Sequence, residues 1–586
     1  MNKFFMDKIE TLLNKIPVSS KDPLSTAEKV SRTIHSKFDL KCVHPDQVLE
    51  IINNLKSSRT CGLDNIDSYV IKLAKVELVP VITHIINTSI IQKSFPSQWK
   101  CAKVVPLWKK GDRMQPKNYR PVALLSVISK IMERVVFNQM IEFLEHGQIL
   151  HPSHHGFRSK HSTSTALLQM QDTWLDALDR GEMSAVVLCD MSAAFDLVNH
   201  GILLKKLELY GFQDSAISWL KSYLCDRSQR VIVDGCLSDP VGLSVGVPQG
   251  SILGPLLYVC YTNDLPECIH DHEVYPIKFP GEDPHERFNL HCHKCGDVCC
   301  YADDSTFSKS GDNAIKLMQE VDQKYKNIVE YMVSNRLVIN TEKTHLLVMC
   351  PKNSRFNNEN HAITLNTGTE IIYPVHHEKL LGGYVSADFT WKFHIRDSQN
   401  SLFRTLVSRV NGFAKISSGA SFKTRKMIAN GVVMSKLVYL IQVWGGCSGY
   451  LVNSLQLIQN RAARIVTKLD LYTSIPKLLL QCGWLSVHQL VYYHTLLLVY
   501  QVKTERKPIY FSNKLNADFS RVTRLAMSGG IRRLERNRYS RSQSGFIFRG
   551  SQYWNALPLE IRKSKSKAIF KKKVIDWIRR NISVHP

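Results

Sequence analysis

Apolar positions in the first hundred residues recur at helical spacing, in Val48, Leu49, Ile51, Ile52 and Leu55 and again in Leu78, Val79, Val81, Ile82, Ile85 and Ile86, and predict helices there. The pattern changes at 185–189, an unbroken apolar run suited to a strand buried on both faces, with Asp190 where that strand ends. Val298, Cys299 and Cys300 precede Tyr301-Ala302-Asp303-Asp304, and Ser305, Thr306 and Phe307 follow it, which reads as two short strands with the paired aspartates at a hairpin tip. From 402 to 499 the chain is mostly helix-forming, and 459–465 gives one basic helical face. In 568–580 charged and apolar residues alternate at helical spacing, so Phe570, Val574 and Trp577 are expected to face a core while Lys571, Lys572 and Lys573 stay in water. No repeat period and no long low-complexity linker interrupts the chain. The pattern predicts an α+β chain in four parts: a helical extension over 1–100, mixed strands and helices over 101–395, a helical region over 396–500, and a basic region over 501–586.

Composition adds an electrostatic bias. The 586 residues, ample for a large core and more than one domain, carry 76 Lys and Arg against 51 Asp and Glu, a net charge of +25 that favours a polyanionic partner. The excess is concentrated, since 501–586 holds 21 basic against 5 acidic residues. Tyr539, Phe546, Phe548, Tyr553, Trp554 and Trp577 interleave with those charges, a mixture suited to stacking on unpaired bases, or to packing inside a basic terminal domain. No apolar stretch is long enough to span a membrane, and the start lacks a signal-peptide core. Fifteen cysteines in such a chain read as reduced thiols, and the protein is expected inside the cell.

The candidate chemistry lies in the carboxylates. Two adjacent aspartates at a turn repel each other unless a cation sits between them. Two-metal phosphoryl transfer needs carboxylates holding divalent ions about 3.5–4 Å apart, and Asp190 supplies a third from another strand. Taken alone, Asp303-Asp304 is equally an ordinary turn, because aspartates form turns readily. Phe195 would sit near whatever Asp190 binds, or pack in the core. Between these elements, glycines at 246, 250 and 254 recur every four residues, and Ser251 can cap a helix continuing through Leu256, Leu257 and Tyr258. Such a helix start lets a nucleotide or template base approach the backbone, or serves close helix packing.

Asp190 with Phe195, Gly246-Val247-Pro248-Gln249-Gly250-Ser251 and Tyr301-Ala302-Asp303-Asp304 resemble motifs A, B and C of a reverse transcriptase. Asn118–Leu125, His155-Gly156-Phe157-Arg158, Asn263-Asp264-Leu265-Pro266 and Asn340-Thr341-Glu342-Lys343-Thr344 resemble the polymerase of jockey-like non-LTR (LINE-type) retrotransposons, and Gly62–Ile66, Phe95–Lys100 and Lys379–Gly383 extend the likeness. The resemblance implies a right-hand polymerase: fingers and palm, with an antiparallel sheet and helices, over 101–395, a helical thumb over 396–500, and a basic nucleic-acid-binding region over 501–586. It implies an RNA-directed DNA polymerase, a nucleotidyltransferase, acting in target-primed retrotransposition. Its partners would be an RNA template, a DNA primer and deoxynucleoside triphosphates.

Further expectations follow for single residues. Asp190, Asp303 and Asp304 would hold two Mg²⁺ ions, which suits hard oxygen ligands. Lys109 and Arg120 fall where the family contacts the triphosphate, Gln249 and Gly250 where it meets the nucleotide, and Phe195 would block a ribose 2′-hydroxyl. Lys343 falls in a motif associated with protonating pyrophosphate. About a hundred residues precede the polymerase blocks, so this chain is expected to polymerise without nicking, with a separate endonuclease as partner. The setting is the nucleus or a cytoplasmic ribonucleoprotein. The alternative is a polymerase-fold RNA-binding protein or scaffold whose catalysis has lapsed.

One motif stands apart. The segment 268–300 looks like an insertion between motifs B and C, and Cys292 and Cys295 have the spacing of a zinc knuckle, with Cys299, His291 or His293 to complete four ligands; against that, Cys299 and Cys300 belong to the apolar run entering the hairpin, where one of the two is expected to pack in the sheet. Stoichiometric zinc in purified protein, and loss of stability in Cys292→Ser with Cys295→Ser, are the expected outcomes by metal analysis and thermal melting; zinc-free protein with unchanged stability removes the site.

Overall fold

A computed structural model describes residues 1–32, 34–269, 297–351, 363–368, 370–516, 530–531 and 544–584. The apolar run at 185–189 lies in strand β3 (Met183–Met191), with β1 (Cys101–Trp108) and β2 (Tyr119–Leu124) before it and β4 (Arg227–Val233), β5 (Cys236–Leu237) and β6 (Val241–Leu243) after it. Strands β7 (Val298–Tyr301), β8 (Asp304–Gly311) and β9 (Ile339–Met349) complete the set that frames the site. β3 is central in a five-stranded sheet, antiparallel to β9 on one side and β8 on the other, with β7 beyond β8 and the short strand Pro374–Val375 at the far edge beside β9. Asp190 is the penultimate residue of β3 rather than its end, and the register against β9 shifts between Leu188 and Asp190. A smaller sheet joins β2, β1, β4 and β5, with β6 also on β4.

Alternation along β3 decides what covers each face. Val187 and Cys189 point into a core shared with Val48, Ile52, Ile82 and Ile86, with the helix Val127–His146 and with the helix Leu253–Tyr261. Val186 and Leu188 point into a second core, built with the helix Thr163–Asp179 and the carboxyl-terminal helices. The amino-terminal helices therefore share one core with the central sheet. Of the positions the spacing predicts, Val48, Ile52, Val79, Ile82 and Ile86 are buried, Leu49, Ile51, Leu55, Leu78 and Ile85 are half-buried, and Val81 is exposed.

The described residues of the basic terminal region are packed on the rest of the chain. Phe546, Trp554, Phe570, Val574 and Ile578 are buried in the second core, Tyr553 stacks on Tyr492 at 3.7 Å and Tyr500 on Phe570 at 4.1 Å. Of the two uses the sequence left open for its aromatics, packing inside the terminal region holds for Phe546 and Trp554, because burying rings of this size outweighs leaving them in water. Trp577 is only half-buried and Ile578 takes the core position instead, whereas Lys571, Lys572 and Lys573 are exposed as expected. Tyr539 lies outside the described residues.

One charged pair is wholly enclosed. Lys206 Nζ meets Asp264 Oδ1 at 2.6 Å and donates to the Tyr261 carbonyl at 2.9 Å, while Tyr331 Oη donates to the same carboxylate at 2.8 Å. Removing one member strands the other charge in the core. Lys206→Met should therefore destabilise the fold by about 3–5 kcal/mol, whereas pairing it with Asp264→Leu should recover much of that loss. Urea unfolding of both variants checks this, and equal loss in the two removes the ion-pair account.

Candidate active site

The tip of the β7–β8 hairpin pairs Tyr301 with Asp304, leaving Ala302 and Asp303 as a two-residue turn. Ala302 has φ +57, a left-handed conformation that hairpins of this length usually give to glycine. The turn is held from outside. His155 N donates to Cys300 O at 2.9 Å and Cys300 N to Ser153 O at 2.9 Å, so the segment 153–155 pairs with the free edge of β7. Gly156 follows directly, and a Cβ there would lie 2.6 Å from Ala302 N, closer than any side chain permits.

Across the sheet, Cys189 of β3 pairs with Ser305 of β8, which brings Asp190 beside the hairpin tip. Burial, then the negative charges of Asp303 and Asp190, push the Asp304 carboxyl up to about 6, with Lys343 pulling it back. The Asp190 carboxylate is engaged by the Lys343 ammonium from β9. Burial, Arg120, Lys343 and Lys110 together hold the Lys109 ammonium below its usual range, against the attraction of Asp190. Thus Asp190, Asp303, Asp304, Lys109, Arg120 and Lys343 share one electrostatic neighbourhood. Lys109 is fixed at its backbone, where its N–H donates to Asn118 O at 2.8 Å.

The donor set fits a hard divalent cation: every ligand is a carboxylate oxygen, and the cluster already draws in one lysine ammonium to offset its charge. Among the described residues, no three His, Cys, Asp or Glu side chains stand close enough to hold an ion as they are.

The glycine stretch completes the surroundings. Gly250 has φ +116, and a Cβ would lie 2.4 Å from Ala123 O, so the loop can lie against β2 only as glycine. Ser251 Oγ accepts from Gly254 N at 2.9 Å, the cap expected of it. The Gln249 amide donates to the Asp196 carboxylate at 2.9 and 3.0 Å. Phe195 is half-buried, with ring centroids 4.7 Å from Tyr258 and 6.1 Å from Phe157.

In comparisons with known proteins, the family model described as reverse transcriptase (RNA-dependent DNA polymerase) matches residues 108–382. The chain carries a reverse transcriptase domain. It is similar to the probable RNA-directed DNA polymerase from transposon BS of Drosophila melanogaster, 26% identical over 88% of this chain and 53% of that protein. Likenesses to the RNA-directed DNA polymerases from mobile element jockey of Drosophila funebris, at 25%, and of Drosophila melanogaster, at 27%, each cover 76% of this chain and 46% of the relative. The chain spans about half the length of these curated relatives.

Within the reverse transcriptase domain, several supports escaped the sequence reading. Glu133, fully buried in the helix Val127–His146, accepts from Ile252 N at 2.7 Å and Leu253 N at 3.3 Å, and so caps the helix Leu253–Tyr261 from outside. Asn263 donates to Ile149 O at 2.9 Å and accepts from His151 N at 2.7 Å, which ties the end of that helix to the segment supporting the turn. The zinc expectation needs one correction. Cys299 is buried on the face of β7 that joins the second core, and strand alternation gives it to that core rather than to a metal. His291, Cys292, His293 and Cys295 lie outside the described residues.

Asp304 makes the reverse transcriptase domain sensitive to pH. A carboxyl held at about 6 when folded and near its ordinary 3.8 when unfolded contributes most to stability below about 4, and that contribution is lost as pH rises through about 6. Asp304→Asn should raise the melting temperature of metal-free protein at pH 8 and leave it unchanged at pH 4. The gain should be well under the roughly 3 kcal/mol of two pK units, because the group is partly open to solvent. Melts in chelator at both pH values check this; equal shifts remove the electrostatic account.

Proposed function

We propose that this chain is an RNA-directed DNA polymerase that adds deoxynucleotides to a DNA primer on an RNA template during target-primed retrotransposition. The observation that carries this reading is the gathering of Asp190, Asp303 and Asp304 from the central sheet beside the cationic Lys109, Arg120 and Lys343. In this reading the central sheet is the palm, the smaller sheet with Lys109 and Arg120 belongs to the fingers, and the helices within 396–500 form the thumb.

Asp190, Asp303 and Asp304 would hold two Mg²⁺ ions, which when bound supply an activated primer hydroxyl and neutralise the triphosphate. Lys109 and Arg120 bind and orient the incoming triphosphate, and their charges favour the transition state over the ground state where negative charge grows. Lys343 offers positive charge and a proton to the leaving pyrophosphate. Gly250 allows the nucleotide close to the backbone, Gln249 contacts it, and Phe195 closes the space a ribose 2′-hydroxyl would need. The exposed bases of the helix Lys567–Asn581, among them Lys571, Lys572, Lys573, Arg579 and Arg580, give nucleic-acid backbone a broad cationic face. Such an enzyme works in the nucleus, where chromosomal DNA supplies the primer.

Primer extension on an RNA template with Mg²⁺ tests the reading. Wild-type protein should incorporate deoxynucleotides, Asp303→Asn should abolish incorporation while RNA binding in a gel-shift assay persists, and Phe195→Ala should admit ribonucleotides. Folded wild-type protein that binds RNA and incorporates nothing would leave the lapsed-polymerase reading in its place.

A further inference from the structure

Gln249 is pinned twice. Its carbonyl oxygen accepts from Ala123 N at 2.9 Å, which fixes the backbone against β2, and its side-chain amide donates to both oxygens of Asp196 at 2.9 and 3.0 Å. An ionised carboxylate can only accept, so the pairing decides which end of the carboxamide faces Asp196. The NH₂ is committed inward, and Oε1 is the atom left to meet a ligand.

Asp196 is itself held in place. Its N–H donates to Ala193 O at 2.9 Å, across a turn in which Ala193 takes φ +52. On either side, Val247 N donates to Phe195 O at 2.8 Å, Gly246 N donates to Val198 O at 2.8 Å, and His200 Nε2 lies 2.7 Å from Gly246 O. The loop after β3 and the glycine-rich loop are thus zipped together around one carboxylate. That carboxylate is half-buried, and desolvation pushes its pKa up to about 6, with Gln249, Lys8 and Arg120 pulling it back. A buried carboxylate costs stability unless its partners repay the lost hydration. Its closest hydrogen-bond partner is the Gln249 amide. Both side chains line a slot of about 120 Å³ that the amino-terminal helix Asn2–Asn14 closes with Phe4, Phe5 and Lys8.

We propose that Asp196 is a positioning residue for nucleotide addition, orienting the Gln249 carboxamide so that its Oε1 is presented as an acceptor to the incoming nucleotide. The proposal rests on the polymerase reading above, with Asp196 acting only through Gln249. Removing Asp196 frees the amide to rotate, so a fraction of molecules presents a donor where an acceptor is needed. Nucleotide binding weakens while the carboxylates of the β7–β8 turn are untouched.

Single-nucleotide incorporation on an RNA template with a DNA primer tests this in wild type, Asp196→Ala, Gln249→Ala and the double variant. Asp196→Ala should raise the nucleotide KM about tenfold, the size of one interaction of about 1.4 kcal/mol, and keep kcat within about twofold. The double variant should be no worse than Gln249→Ala, since a residue that acts through another has nothing left to contribute once its partner is gone. Asp196→Asn, which keeps the shape and one acceptor oxygen, should restore most of the affinity and covers the case in which Asp196→Ala does not fold. An unchanged KM in Asp196→Ala, losses that multiply in the double variant, or an Asp196→Asn as weak as the alanine variant overturns the proposal. A wild-type protein without incorporation would instead defeat the polymerase reading on which it stands.

Discussion

A strand buried on both faces can carry a charge only where it leaves the core, and in β3 that place is Asp190. Upstream of it, Val187 and Cys189 serve one core and Val186 and Leu188 the other. Two helical layers therefore close over the sheet and leave its end as the outlet for polar chemistry. The register shift against β9 between Leu188 and Asp190 falls at this outlet, where the ladder is interrupted and the strand changes from packing to presenting a side chain. Asp304 arrives beside it because β8 pairs with β3 residue by residue as far as Ser305. The carboxylates meet as a result of sheet register.

Presenting charges in a fixed geometry has a cost, and the structure meets it with buried polar groups beneath the site. Lys206, Asp264 and Tyr331 form an enclosed network under the end of the helix Leu253–Tyr261, and Glu133 caps the start of the same helix. Apolar residues of similar volume would often hold a core as well or better. Hydrogen bonds to buried charges, unlike apolar contacts, specify direction, and this helix carries the loop with Gln249 at one end and the Asn263 anchor at the other.

The outlet and the hairpin were legible in the sequence because they depend on local pattern: an apolar run, a pair of aspartates, glycines at fixed spacing. The supports were not. Glu133 lies 119 residues from Ile252, Lys206 lies 58 from Asp264 and Asp196 lies 53 from Gln249, and nothing local shows that either partner of a pair meets the other. For Cys299 and the aromatics of the basic terminal region the sequence left two uses open for a related reason. Composition records that a thiol or a ring is present, whereas its use depends on which face of a strand or helix it occupies. Alternation in β7 and packing against Tyr492 and Tyr500 settle that only in three dimensions.

The strained turn at Ala302 shows why those distant contacts matter to the chemistry. A non-glycine residue at φ +57 persists only where its surroundings over-determine it. Here β7 is paired on one edge by β8 and on the other by 153–155, with Gly156 set against the turn itself. The segment that presses on the turn is in turn fixed by Asn263 and by Arg158, whose guanidinium reaches Glu145 at 2.9 Å and the His151 carbonyl at 2.9 Å. Glu145 also takes Lys507 at 2.8 Å, at the far end of the chain. The position of Asp303 and Asp304 is therefore set by contacts that begin in the carboxyl-terminal helices. A change in how those helices dock should be felt at the Asp303-Asp304 turn as well as on the sheet face that the helices cover.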